Sequence, residues 1–155
     1  MLKYNAKYIE KIFYQYDKIK QAVNEARKDP ASCKTGGNGS GHAFVSDPTA
    51  NVAIKEVTPI KAVVINITKQ EQMKIMEPEK WLQVVDYTYE YFCNKKTGKV
   101  TYDVITRKYR KGEDYREISM SIGIGQTTCF MYVREANQYA SLCAVGLGLM
   151  TPFNI

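Results

Sequence analysis

Between Arg107 and Arg134 the chain collects side chains whose chemistry suits a nucleic acid. Arg107, Lys108, Arg110, Lys111 and Arg116 are cations of the kind that neutralise phosphates. Gln126, Thr127, Thr128, Phe130, Met131 and Arg134 follow them in one run. Glutamine can pair with N6 and N7 of adenine, threonine or phenylalanine can cover a thymine methyl, and arginine can take guanine or a phosphate. Asp103, Glu113, Asp114, Glu117 and Glu135 are interleaved with these groups, so an ordinary solvated surface is the competing reading of the same charges. A formal charge of +6 and a pI near 9.0 favour an anionic partner, nucleic acid or a membrane surface, without choosing between them.

Residues for other chemistries are scarce. His42 is the only histidine, which excludes a histidine-rich metal site and leaves a Cys-His pair to an accident of folding. Gly37-Asn-Gly-Ser-Gly41 is rich enough in glycine to suggest a phosphate cradle, yet no strand precedes it and no Gly-Lys-Ser/Thr follows. A linker is the better reading. Cys33, Cys93, Cys129 and Cys143 have no paired spacing, so they read as reduced, mostly buried thiols of a cytosolic protein. The twelve tyrosines could stack on bases, but most lie at helical spacing and suit a core or an interface. These features predict no catalytic residue, no metal and no cofactor.

The elements that must position the basic and polar run are helices. Apolar residues Tyr8, Ile9, Ile12, Phe13, Tyr16, Ile19, Val23 and Ala26 recur at three- and four-residue steps from Tyr4 to Lys28, which predicts one amphipathic helix ended by Asp29-Pro30. Its wide aromatic face suits self-association, as a homodimer, or packing on the middle helices. Ser32 to Ser46, with Gly36, Gly37, Gly39 and Gly41, reads as a flexible linker. Asp47-Pro48-Thr49 looks like a helix start. The run Val63, Val64, Ile65, Ile67 would suit a strand, but with no evident partner strand it is read as helix. Glu77-Pro78-Glu79 opens the next helix, through Trp81, Leu82, Val84, Val85, Tyr89 and Phe92 to Thr97-Gly98, with Trp81 as a core anchor. Neither a signal-peptide h-region nor an apolar run of about 18 residues occurs, and Ala144 to Met150 is too short to span, so no membrane partner is expected.

After Gly98 a short helix carries Val100, Val104, Ile105 and Tyr109 and closes at Arg110-Lys111-Gly112. A second places Tyr115, Ile118 and Ile122 inward and ends at Gly123, a residue free to adopt positive φ. Ile124 plugs the turn. A third begins near Gly125 with Cys129, Val133 and Ala136 inward. Two short helices, a glycine turn and a longer helix predict a helix-turn-helix at about residues 100–145. The domain reading is therefore an N-terminal helix over 1–30, a linker over 31–47 and a helical domain over 48–155, all-α throughout.

The run from Tyr109 to Ala136 resembles region four of bacterial sigma factors, whose pattern is a tyrosine-rich helix, Glu-Ile-Ala, Leu-Gly-Ile-Ser and Thr-Val-Tyr. Glu117-Ile118 and Ile122-Gly123-Ile124 match it, while Ser119, Gly125 and Cys129 stand where alanine, a capping serine and valine are usual. The whole arrangement is similar to the short phage late-gene regulators of the RinA and ArpU type. That resemblance implies a cytoplasmic activator of phage or prophage promoters in a Gram-positive bacterial host, binding double-stranded DNA and in some cases RNA polymerase. Two other classes fit the same elements: a small terminase subunit for DNA packaging, separable by its many-copy ring, and a helical module that binds protein.

Overall fold

The computed structural model describes residues 6–28 and 58–151. The linker over 31–47, the helix start at Asp47-Pro48-Thr49, Cys33 and His42 lie outside them. The described residues form a mainly helical protein with one small sheet. They divide into two compact units, Ile19 to Glu79 and the remainder.

Helix α1 (Ala6–Tyr14) and helix α2 (Tyr16–Lys28) share the predicted amphipathic stretch. The single helix expected there is interrupted at Gln15. The Gln15 N–H still donates to the Lys11 carbonyl at 3.0 Å, but its side-chain Oε1 is buried without a hydrogen-bond partner. No proline or glycine accounts for the break. The apolar face of α1 is already occupied: Ile9, Ile12 and Phe13 are buried, and Phe13 stacks on Tyr109 with ring centroids 4.7 Å apart. The α1 part of that face therefore packs within the chain, the second of the two uses expected for it. Ala26, expected inward, is exposed.

In the smaller unit the β-branched run departs from the helical expectation. Strand β1 (Ala62–Asn66) pairs antiparallel with strand β2 (Gln72–Met76), in the register Val63 to Ile75 and Ile65 to Met73. Val63, Ile65 and Ile75 are buried on one face while Val64 points out, the period-two alternation of a half-buried ribbon. The partner strand lies only six residues on. Ile67 N–H donates to the Glu71 carbonyl at 2.8 Å, and Thr68 Oγ1 accepts from the Gln70 and Glu71 amides at 3.3 and 3.1 Å. The threonine hydroxyl thus closes a turn that lacks the usual glycine. Arg27 forms an ion pair with Glu79 in the same unit.

Helix α3 (Pro78–Asn94) opens with proline at its first position and acidic Glu79 in its first turn. Trp81, Val84, Val85 and Phe92 are at most 1% exposed, so they form the core stripe of this helix. It ends at Asn94 rather than Gly98, because Lys95 to Gly98 make a turn in which Gly98 N–H donates to the Lys95 carbonyl at 2.8 Å. A Cβ on Gly98 would stand 2.4 Å from the Phe92 carbonyl oxygen, which only glycine avoids. Cys93 follows Phe92 and is rotated by about 100° along the helix to the exposed side; Cys143 is half-buried, so Cys129 is the one buried thiol among the described cysteines.

Helix α4 (Lys99–Ile105) runs into a π-helical segment (Thr106–Arg110), where Lys111 N–H donates to the Thr106 carbonyl at 3.2 Å. Helix α5 (Tyr115–Ile122) and helix α6 (Gln126–Gly146) are the last of the described helices, and α6 packs on α1, α4 and α5. A buried polar relay pins α6 in place. Tyr109 Oη donates to Asn137 Oδ1 at 2.9 Å, and Asn137 Nδ2 donates to Glu10 at 3.3 Å. Burial drives the Tyr109 pKa far above the ordinary tyrosine value.

Asn137→Leu is expected to lower stability by about 1–3 kcal/mol, because the buried Tyr109 hydroxyl loses its acceptor and keeps its desolvation cost. Urea denaturation of Asn137→Leu, Tyr109→Phe and the double variant measures it. The double variant should lose less than the sum of the two single losses, and strict additivity would mean that the relay carries no coupling.

Candidate nucleic-acid interface

Three residues, Gly123 to Gly125, connect α5 to α6. Gly123 has φ +75° and ψ +31°, the left-handed conformation that glycine adopts without penalty, and its N–H donates to the Ser119 carbonyl. The Ser119 hydroxyl donates to the Ile124 carbonyl at 2.6 Å, so serine serves the turn directly at a position where alanine could not. The other end of α5 is fixed by a reciprocal cap. Asp114 accepts from the Arg116 and Glu117 amides at 2.8 Å, and Glu117 accepts from the Asp114 N–H at 2.8 Å. This Asp-x-x-Glu spacing is visible in the sequence and is a signal that the reading by periodicity passed over.

Gly125 caps α6 with φ −64° and ψ 148° and supplies no side-chain hydrogen bond. The first amides of α6 are therefore left to other acceptors. Behind the helix, Ile118 and Cys129 are fully buried, joined by Val133, Ala136 and Ala140. Burial also raises the Cys129 thiol pKa, which keeps it protonated and inert. Gln126, Thr127, Thr128, Phe130, Met131 and Arg134 are all exposed. Thr127, Met131, Arg134 and Gln138 follow one another at four-, three- and four-residue steps, a stripe on the side away from the buried one.

The basic residues divide into two sets. Lys108 lies over the Tyr115 ring, Nζ 4.3 Å from its centroid, and Tyr115 meets the edge of Phe130 with centroids 6.0 Å apart. A cation of the π segment is thereby linked through an aromatic of α5 to the exposed start of α6. Partial burial pushes the Tyr115 pKa up to about 12, so this ring stays neutral. Lys111 and Arg116 are exposed beside the α5 cap. Arg107 is already engaged in an ion pair with Glu113 at 3.1 Å, whereas Arg110 is exposed, its guanidinium 4.3 Å from the Tyr89 ring centroid on α3 in the same kind of contact that Lys108 makes. Of the acids, Glu135 accepts from Lys95 and Thr101, both at 3.4 Å, which directs it towards α4 and the turn before it.

Compared with protein-family models, with curated proteins and with solved structures, the chain finds no match. Its function therefore has to be argued from the site itself. Among the described residues no cluster of three or more His, Cys, Asp or Glu could hold a metal, and no helix is long and apolar enough to cross a membrane.

Proposed function

We propose that the chain is a transcriptional regulator that binds double-stranded DNA by laying α6 in the major groove, with α5 across the backbone. The observation that carries this reading is the α5–Gly123–α6 arrangement. A buried seam of Ile118, Cys129 and Val133 holds two helices around a left-handed glycine, while the first two turns of α6 expose Gln126, Thr127, Thr128 and Met131. We read this arrangement as a helix-turn-helix whose reading side carries exposed side chains among the described residues. Lys108, over the Tyr115 ring that meets Phe130, and the exposed Lys111 and Arg116 are the cations we assign to phosphates, and the +6 charge supports approach to a polyanion. Arg107, paired with Glu113, adds to the field more than to direct contact, while the exposed Arg110 offers its guanidinium to phosphate as Lys108 does.

The matches to sigma region four at Glu117-Ile118 and Ile122-Gly123-Ile124 support the DNA-binding reading, and the similarity of the whole arrangement to RinA- and ArpU-type regulators supports a late-gene activator of phage or prophage promoters in a bacterial cytoplasm, with RNA polymerase as a second partner. Titration of a labelled duplex with the full chain over a range of salt tests the DNA reading. The expected result is binding whose log affinity falls linearly with log salt concentration.

A further inference from the structure

The base-facing side of α6 is unusual in its chemistry as well as in its exposure. In the twenty-one residues of α6 there is one cation, Arg134, and one anion, Glu135, and Glu135 is held by Lys95 and Thr101. Guanine is read above all by Arg or Lys on O6 and N7, and cytosine by a carboxylate on N4. The first two turns of α6 carry neither type. They expose large apolar side chains instead: Phe130 is 52% and Met131 63% exposed, beside Gln126, Thr127 and Thr128. Such side chains gain nothing from water, and the apolar group that the major groove offers them is the thymine C5-methyl. Gln126, one turn before Phe130, carries the amide that matches adenine N6 and N7.

We propose that α6 reads A·T base pairs, with Met131 and Phe130 against thymine methyls and Gln126 on adenine, while Arg134 at the end of the reading stripe is left for a flanking guanine or a phosphate. This rests on the reading of the chain as a duplex-DNA binder. Tyr115, in T-shaped contact with Phe130, limits that ring to the α5 side of the stripe. Met131 is then the freer methyl receptor. It stands on the outward stripe one turn beyond Thr127 and adapts its flexible thioether to the methyl it meets.

The test uses the full chain. Duplexes are selected from a randomised pool, and the best binder is remade with deoxyuracil in place of individual thymines, which removes the methyl and leaves every hydrogen-bonding edge intact. The expected result is a selected core of A·T pairs in which each contacted thymine loses roughly fourfold in affinity when its methyl is removed, the worth of one buried methyl. Met131→Ala, a change at an exposed position that leaves the core untouched, should weaken binding to the thymine duplex and abolish part of that discrimination. Specific binding with a G·C core, or binding indifferent to uracil at every position, overturns the A·T inference and leaves the DNA reading standing. A folded chain that retains no duplex from the pool overturns the DNA reading, and the inference with it.

Discussion

Cys129→Asp is expected to unfold the α5–α6 pair and to abolish every mode of DNA binding. Cys129 is fully buried where α6 packs on α5, one turn before Val133, and among the described residues no Lys or Arg is buried there to receive a carboxylate. An uncompensated buried charge costs about 3–5 kcal/mol, a large part of the 5–15 kcal/mol that holds a typical domain together. The melting temperature should fall by roughly 10 °C or more. Desolvation raises the pKa of the introduced carboxyl above its unfolded value. The deficit relative to the parent is therefore full above the folded pKa and shrinks as pH falls through it towards the unfolded carboxyl value of about 3.9, below which the group is neutral in both states. Cys129→Ala, which introduces no charge, should retain binding. Equal melting temperatures for Cys129→Asp and the parent would mean that the seam between the helices is not packed as described.

The second large effect separates side chains that read bases from those that meet the backbone. Arg116 is exposed next to the Asp114 cap and Lys111 precedes it, positions suited to phosphate. Arg116→Ala and Lys111→Ala should weaken specific and random duplexes alike and make the salt slope shallower by about one each. Gln126→Ala should instead cost roughly 1–3 kcal/mol on the preferred site and leave random duplex nearly unchanged. Competition titrations at fixed salt give both numbers. If Gln126→Ala loses no selectivity, α6 is not in the groove and the exposed side of α6 is better read as a protein-binding surface.

Much of this site is legible in the sequence because its determinants are local. Gly123 ends α5, Cys129, Val133 and Ala136 mark the inward side of α6, and each of these can be placed from spacing within a dozen residues. The cap at Asp114 and Glu117 is equally local and belongs to the same class of signal. The hairpin is different. Its second strand, Gln72-Met-Lys-Ile-Met76, has one β-branched residue and its turn has no glycine, so propensity says little and pairing with Val63 and Ile65 decides the conformation. The same holds for the links from Lys108 to Tyr115, from Arg110 to Tyr89 and from Tyr109 to Asn137. They join residues on different elements, and only the packed chain brings them together.

The most direct test of the central claim is the salt dependence of duplex binding by the folded parent chain, followed by fluorescence anisotropy between about 50 and 200 mM salt. With Lys108, Arg110, Lys111 and Arg116 at the backbone, the log–log slope should be about −3.6, about −0.9 for each phosphate neutralised, and the Cys129→Asp variant should give no titration. A folded parent chain that leaves duplex DNA unbound at the lowest salt would contradict the account.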